Sequence, residues 1–116
     1  MKPNPDALES NLNQVIGTES YHRYLGGVVL TDGAKYFAEQ AGAFWLMDIL
    51  ATQPEIRELP FAHAKLHVSK DETGKLVVTD GNDNVKYRRT LGFTDCPPGT
   101  WTFFITNGVI MVPSEY

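Results

Sequence analysis

The histidines and the cysteine are the residues most capable of chemistry in this chain, which has three histidines and one cysteine. A thiol nucleophile needs a neighbouring base or positive charge that lowers its pKa. Cys96 follows an aspartate and precedes two prolines, so its neighbours in sequence supply no such group. A hydrolytic enzyme would therefore need a site that only the fold assembles. The candidate residues for that site are His22, His63, His67, Asp95 and Cys96.

Two patterns that resemble metal sites fail on their spacing. His63 and His67 are four residues apart, which suits one metal on a helix but separates the two residues by about 13 Å on a strand. The alternation of apolar and polar residues around them predicts a strand. Residues 80–84, D-G-N-D-N, begin like a calcium loop, but Val85 and Leu91 then stand where glycine and an acid are needed. We expect a turn there, and no metal or cofactor in the protein.

Aromatic and basic side chains form two candidate contact segments. Residues 21–24, Y-H-R-Y, place two phenols, an imidazole and a guanidinium beside two glycines. Such a segment binds a planar or anionic ligand, or packs its tyrosines and exposes its charges. Residues 86–89, K-Y-R-R, form the densest positive run, which a strand splits between its two faces. The candidate ligand or partner contacts are Tyr21, His22, Arg23, Tyr24, His63, His67, Lys86 and Arg88.

Composition limits the class of protein. The 116 residues suffice for one domain with its own core. The formal net charge of −4 argues against nucleic-acid binding, which needs clustered Lys and Arg, although a local basic cluster is compatible with it. The single cysteine cannot form an internal disulfide, and we identify neither a leader nor a membrane-spanning stretch. We expect a cytoplasmic protein with no membrane partner.

The element that must position these side chains is a stretch of helical periodicity over residues 31–52. Its apolar side chains recur three or four residues apart for about five to six turns. Thr31 or Asp32 suits the start of this helix, and Pro54 should end it. The pattern predicts one long core helix, preceded by a helical arm over residues 1–17. The apolar face of that arm is formed by Leu8, Leu12, Val15 and Ile16.

From residue 61 onward the periodicity alternates, as it does in strands covered on one face. Turn residues at 71–74, 80–84 and 97–99 divide this segment, and the dipeptide at 107–108, N-G, suits a tight hairpin. Helices followed by strands indicate an α+β fold. We predict a single domain over residues 1–116, in which the N-terminal helix and the long core helix pack on a four- to five-stranded antiparallel meander sheet over residues 61–112.

One charged pair is predicted between the core helix and the sheet. Asp48 lies among apolar neighbours of the helix, and Arg89 is the charged exception on the apolar face of its strand. Burying a charge without a partner costs several kcal/mol. We therefore expect Asp48 and Arg89 to form a buried, structural ion pair. Tyr87 and Trp101 are the alternative donors to the Asp48 carboxylate.

Three sequence blocks resemble a known family. They read T-D-G at 31–33, A-G-A-F-W-L-M-D at 41–48 and N-G-V-I-M-V-P-S-E-Y at 107–116. From about residue 18 onward the chain resembles a family of small bacterial and phage proteins classed as a domain of unknown function. The resemblance implies a prokaryotic or phage origin, and it implies no activity, cofactor or catalytic residue.

The absence of acid/base, nucleophile, metal or phosphate-loop signatures favours recognition over catalysis. We expect an uncharacterised small protein that acts as a non-enzymatic binding or interaction module, carried by a phage or another mobile element. The alternative is a small hydrolytic enzyme built from the residues named above. Phe104, opposite Trp101 and Phe103 on its strand, and an unpaired edge strand also predict a homodimer. A protein partner is compatible with this interpretation, whereas nucleic acid is not expected.

Overall fold

The computed structural model describes residues 4–14 and 19–116. It is an α+β structure, as predicted, with helices packed on one face of a seven-stranded sheet. Two 3-10 turns, Leu25–Gly27 and Pro113–Glu115, flank strands at one side of the sheet. The helices are α1 (Pro5–Asn13), α2 (Asp32–Ala41), α3 (Phe44–Thr52) and α4 (Pro54–Arg57). The strands are β1 (Tyr21–Arg23), β2 (Val29–Thr31), β3 (Phe61–Val68), β4 (Gly74–Thr79), β5 (Val85–Leu91), β6 (Gly99–Thr106) and β7 (Val109–Met111).

Helix α1 lies within the predicted helical arm and begins after a cap at Asn4. The Asn4 side chain accepts hydrogen bonds from the backbone N–H groups of Asp6 and Ala7, at 2.9 and 3.3 Å. This cap satisfies two of the amides that a helix start leaves unpaired. Leu8 and Leu12 of the predicted apolar face are buried in the core. The other two members of that face, at positions 15 and 16, lie outside the described residues.

The prediction of a single long helix over residues 31–52 is wrong, because two helices, α2 and α3, lie within that range. Gly42 adopts a left-handed backbone with φ of 62°, and its N–H donates to the Ala38 carbonyl. This arrangement ends a helix and suits glycine, which has no Cβ to oppose it. Both helices bury apolar side chains in one core, so the apolar pattern continues across the break at Gly42. The pattern alone therefore does not indicate where α2 ends.

The predicted antiparallel meander of four to five strands is also wrong. The strand order is β1-β2-β7-β6-β3-β4-β5, and β2 pairs with β7 in parallel, so the sheet is mixed. β6 pairs with β3 instead of β5. Strands β1 and β2 lie between α1 and α2 in the chain, and each has only three residues. Such short strands carry too little alternation for the sequence to reveal them.

The hairpin predicted at residues 107–108 is confirmed. Asn107 and Gly108 both have positive φ, at 53° and 73°, and Thr106 pairs with Val109. Two residues with positive φ match the right-handed twist of the strands that they join. The hairpin places β7 between β6 and β2.

The core lies between the helices and the face of the sheet that we call the inner face. The predicted alternation in β3 is confirmed, because the four even-numbered residues from Ala62 to Val68 are buried. Phe37 of α2 packs against Trp101 and Phe103 of β6, with ring centroids 5.4 and 5.0 Å apart. Among the described residues, no helix combines the length and apolar character that crossing a membrane requires.

Candidate interaction surface

The face of the sheet opposite the helices, which we call the outer face, is left open by the described elements. Along β3 and β6 its residues are half-buried or exposed, whereas the alternate residues of the inner face are mostly fully buried. The register between strands aligns these open positions across the sheet. They are Phe61, His63, Lys65, His67, Lys75, Val77, Thr79, Arg88, Thr90, Thr100, Thr102, Phe104, Thr106, Val109 and Met111.

The charges are separated between the sheet and the rest of the molecule. The chain has 14 acidic residues against 10 Lys and Arg, yet the strands found within residues 4–14 and 19–116 contain no acidic residue. All three histidines lie on strands. A negative net charge therefore coexists with a sheet whose ionisable side chains are basic or phenolic. The Lys and Arg residues on strands are Arg23, Lys65, Lys75, Lys86, Arg88 and Arg89.

Four of these strand residues form what we call the basic group, consisting of Lys65, His67, Lys75 and Arg88. His67 pairs directly with Lys75, and Lys65 and Arg88 flank Val77 in the same row. The spacing of neighbouring strands places the Lys65 and Arg88 backbones about 10 Å apart. All four side chains are exposed. Lys65, Lys75 and Arg88 present positive charge to any ligand that lies across β3, β4 and β5.

Next to the basic group lies an aromatic group, consisting of Phe61, His63, Phe104 and Tyr116. The Phe104 ring is 5.5 Å from Phe61, 5.2 Å from His63 and 5.0 Å from Tyr116. Phe61 and Tyr116 stack at 5.5 Å. Tyr116 keeps 69% of its surface exposed. Aromatic rings on an open sheet offer apolar faces and edges to a planar ligand.

The β4–β5 loop closes over one side of the aromatic group. A Cβ added at Gly81 would lie 2.9 Å from a carbon of the Phe61 ring, so only glycine allows this approach. The same loop brings Asp83 within electrostatic range of His63. Partial burial, and then the charge of Lys65, lower the pKa of His63, and the opposing effect of Asp83 is smaller. Neutral His63 therefore belongs to the aromatic group rather than to the basic group.

The segment at residues 21–24 is divided by the fold. Tyr21 and Arg23 alternate with His22 on β1, so they lie on the outer side, far along the sheet from the basic group. His22 pairs with buried Leu30 and lies on the inner side. Its Nε2 atom is 2.8 Å from an Asp32 oxygen, and the other Asp32 oxygen accepts from the backbone N–H groups of Glu19 and Ser20. His22 therefore helps to join β1 to the start of α2.

Asp48, which we expected to pair with Arg89, instead contacts Tyr24. The Tyr24 phenol donates to the Asp48 carboxylate, and its ring stacks on Phe44 at 6.1 Å. Burial, and then the hydrogen bond and the negative charge of Asp48, raise the pKa of Tyr24 to about 12. Arg89 lies on the inner side opposite buried Leu76, but β5 is the edge strand and Arg89 is exposed. The predicted ion pair is therefore wrong, because neither charge is buried and Asp48 is held by a phenol.

The residues considered for a hydrolytic site do not converge. His63 and His67 point outward from β3, whereas His22 points inward from β1, four strands away. Adjacent strands are about 4.8 Å apart, so this separation approaches 20 Å. Cys96 is fully buried, and Asp95 is exposed. No cluster of three or more potential metal ligands occurs within the described residues.

The remaining candidates at the β4–β5 turn are structural. Asp80 accepts a hydrogen bond from the Asn82 N–H at 2.8 Å and from the Asn84 side chain at 2.9 Å, which makes the predicted turn. These contacts, aided by Lys86, lower the pKa of Asp80. An irregularity in the β4–β5 pairing leaves Lys86 without a register partner, so the register assigns it to neither face, and its place beside Arg88 stays a prediction. Of Lys86 and Arg88, only Arg88 belongs to the basic group as defined above.

The cavities are small compared with ordinary ligand sites. Three that the described residues line measure about 170, 80 and 220 Å³, and none of the three is lined by a histidine. Ligand pockets usually measure about 300 to 1,000 Å³. The largest of the three is lined by Gly42, Trp45, Phe93 and Asp95 among others. An open surface is thus the better candidate than a pocket.

Comparison with known proteins identifies the family. A family model described as a family of unknown function, DUF6876, matches residues 6–116. The chain belongs to this family. No curated protein and no solved structure matches it. The membership confirms the expectation of an uncharacterised domain, and it assigns no activity to the outer face or to any cavity.

Several residues of the outer face were absent from the sequence-based set of contacts. Lys75, Phe61 and Tyr116 lie in different segments, and only strand pairing and the path of the chain end bring them beside Lys65 and Phe104. A signal was nevertheless present. The alternation in residues 61–68 predicts that Lys65 and His67 share a face, and the acid-free composition of the strands is visible once strands are assigned.

Proposed function

We propose that this protein is a non-enzymatic binding module, and that the outer face of its sheet binds an anionic partner. The observation that carries the proposal is the separation of charge. Lys65, Lys75 and Arg88 are exposed on one open face, and the strands that form it contain no acidic residue. Complementary charge steers an anionic partner to such a face and orients it there.

Chromatography on heparin, a polyanion, tests this proposal. The wild-type protein should be retained at neutral pH although its pI is about 5.2, because the basic group acts locally. The double variant Lys65→Glu/Arg88→Glu should elute near the void volume. Lys35→Glu/Arg89→Glu changes the net charge equally, but Lys35 lies on α2 and Arg89 on the inner side of β5. Equal retention of the two variants, or no retention of the wild type, would refute the proposal.

Self-association is a separate prediction, and the two edge strands differ in how well they suit it. β5 carries Lys86, Arg88 and Arg89, and like charges on an edge strand oppose pairing with a second copy. β1 has only three residues. A dimer formed through the outer faces of two copies would also bring their two basic groups together, and these would repel each other. We therefore rank an anionic partner above a homodimer. Light scattering at high micromolar concentration measures self-association directly.

A further inference from the structure

We infer that the partner of the outer face is single-stranded nucleic acid, an inference that rests on the proposed function. The basic group and the aromatic group adjoin on a single strand, since β3 presents Phe61, His63, Lys65 and His67 in succession on one side. Side chains that share a face of a strand recur about every 6.8 Å. A ligand along β3 therefore meets aromatic rings and then positive charges within a few residues.

These two groups match the two parts of a nucleotide. Unpaired bases stack on aromatic side chains, and cations hold the phosphates. Threonine hydroxyls are further donors to phosphate or sugar oxygens. Thr100, Thr102 and Thr106 lie on β6 in the same rows as His67, Lys65 and Phe61. The outer face thus supplies stacking, charge and neutral hydrogen bonds over a continuous area.

The shape of the face favours a single strand over a duplex and over an acidic protein. The major groove of a duplex admits a helix or a two-stranded ribbon, and this face is the interior of a wide sheet. A protein partner usually inserts an aromatic or aliphatic side chain into a pocket. The three cavities described above are small, and none is lined by a residue of the basic group. Planar bases need no pocket.

Fluorescence anisotropy with labelled oligonucleotides tests this inference on the full chain. The probes are single-stranded DNA and single-stranded RNA of about 20 nucleotides and the matching DNA duplex. We expect the single strands to bind at least tenfold more tightly than the duplex. If three cations contact phosphates, the logarithm of the association constant should fall with the logarithm of salt concentration with a slope of about −2. The DNA and RNA probes distinguish the two sources of the same chemistry.

Variants measure the contributions of the basic group and of the aromatic group to binding separately. Lys65→Glu/Arg88→Glu should weaken binding at least tenfold and flatten the salt dependence, whereas the matched Lys35→Glu/Arg89→Glu variant should bind as the wild type does. Tyr116→Ala should weaken binding about tenfold without changing the slope, because stacking carries no counterion release. Tyr116 is largely exposed, so its replacement leaves the core intact. Phe104→Leu provides a second test of stacking.

Two results would overturn the inference. One is equal affinity for the single strands and the duplex, and the other is wild-type affinity in both aromatic variants. If heparin retention still depends on Lys65 and Arg88 while no oligonucleotide binds, the inference fails and the proposed function stands, with an acidic protein as the partner. If the wild type is not retained on heparin, the proposed function itself fails.

Discussion

The Glu115 carboxylate accepts a hydrogen bond from the Gly33 N–H at 3.0 Å and so caps the first turn of α2 from the other end of the chain. Its second oxygen accepts from the Thr31 hydroxyl at 2.5 Å and from the Val112 N–H at 3.0 Å. A Cβ added at Gly33 would lie 2.7 Å from that second oxygen. Glycine therefore permits the close approach, and the carboxylate meets both the unpaired amides and the positive end of the helix dipole.

We expect Glu115→Ala to lower the free energy of unfolding by about 2 to 3 kcal/mol, because it leaves two partly buried amides and a hydroxyl without their acceptor. Glu115→Gln, which keeps one acceptor oxygen, should cost less. Urea denaturation followed by circular dichroism measures both changes. The control is Glu39→Ala, on the exposed side of α2. If Glu115→Ala is no more destabilising than this control, the cap does not contribute to stability.

This contact shows what the sequence could and could not predict. Both partners lie in blocks that resemble the family, 31–33 and 107–116, yet 82 positions separate Gly33 from Glu115. Periodicity and capping rules describe neighbours in sequence, so they predicted the start of α2 and the terminal hairpin correctly. They cannot find a cap that tertiary structure supplies, and they did not find the break at Gly42, where the apolar pattern continues.

The contact between Tyr24 and Asp48 gives a second prediction. We expect Asp48→Asn to lower the pKa of Tyr24 from about 12, yet to leave it above 10.0, because burial is the larger cause of the shift. The cost in stability should be about 1 kcal/mol, as for one hydrogen bond at the surface, and not the 3 to 5 kcal/mol of a broken buried ion pair. Ultraviolet titration of the phenols and thermal melts measure these effects.

Arg89→Ala is the matched control for that experiment. Because Arg89 is exposed and does not hold Asp48, this change should alter neither the phenol titration nor the stability appreciably. A loss in Arg89→Ala as large as that in Asp48→Asn, with coupling in the double variant, would instead restore the ion pair expected from the sequence.

Strand β7 gives a third prediction, since it joins the two parts of the sheet. It pairs with β2 on one side and with β6 on the other. Truncation after Gly108 should therefore detach β1 and β2 from the sheet and leave an insoluble or non-cooperative chain. Truncation after Val112 keeps β7 and removes the Glu115 cap, so we expect a soluble but less stable protein. Cooperative melting of the shorter chain would contradict this account.

The candidate surface was less predictable than the fold, and the reason is electrostatic. Net charge describes the whole chain, and at −4 it argued against a polyanion partner. Binding depends on where the charges lie, and Lys65 and Arg88 become neighbours only through the pairing of β3, β4 and β5. The sequence predicted strands at each of these positions. The order of those strands depends on packing against the helices, which no local pattern reports.

The last prediction concerns His63 and the dependence of stability on pH. Burial and Lys65 lower the pKa of His63 in the folded protein below 6.5, the ordinary value that the unfolded chain retains. Between these two pKa values the unfolded chain binds more protons than the folded protein does, so stability must rise with pH across that interval. His63 therefore contributes a loss of stability as the pH falls through 6.5 toward the lowered pKa of the folded protein. His63→Gln should reduce this loss in urea denaturation measured at several pH values.

Variants of the two charged neighbours fix the sign of the effect. Lys65→Gln removes the positive charge that lowers the pKa of His63, so the loss on acidification should become smaller. Asp83→Asn removes the negative charge that raises this pKa, so the loss should become larger. If Lys65→Gln and Asp83→Asn shift the pH dependence in the same direction, the charge of His63 does not control stability in this range.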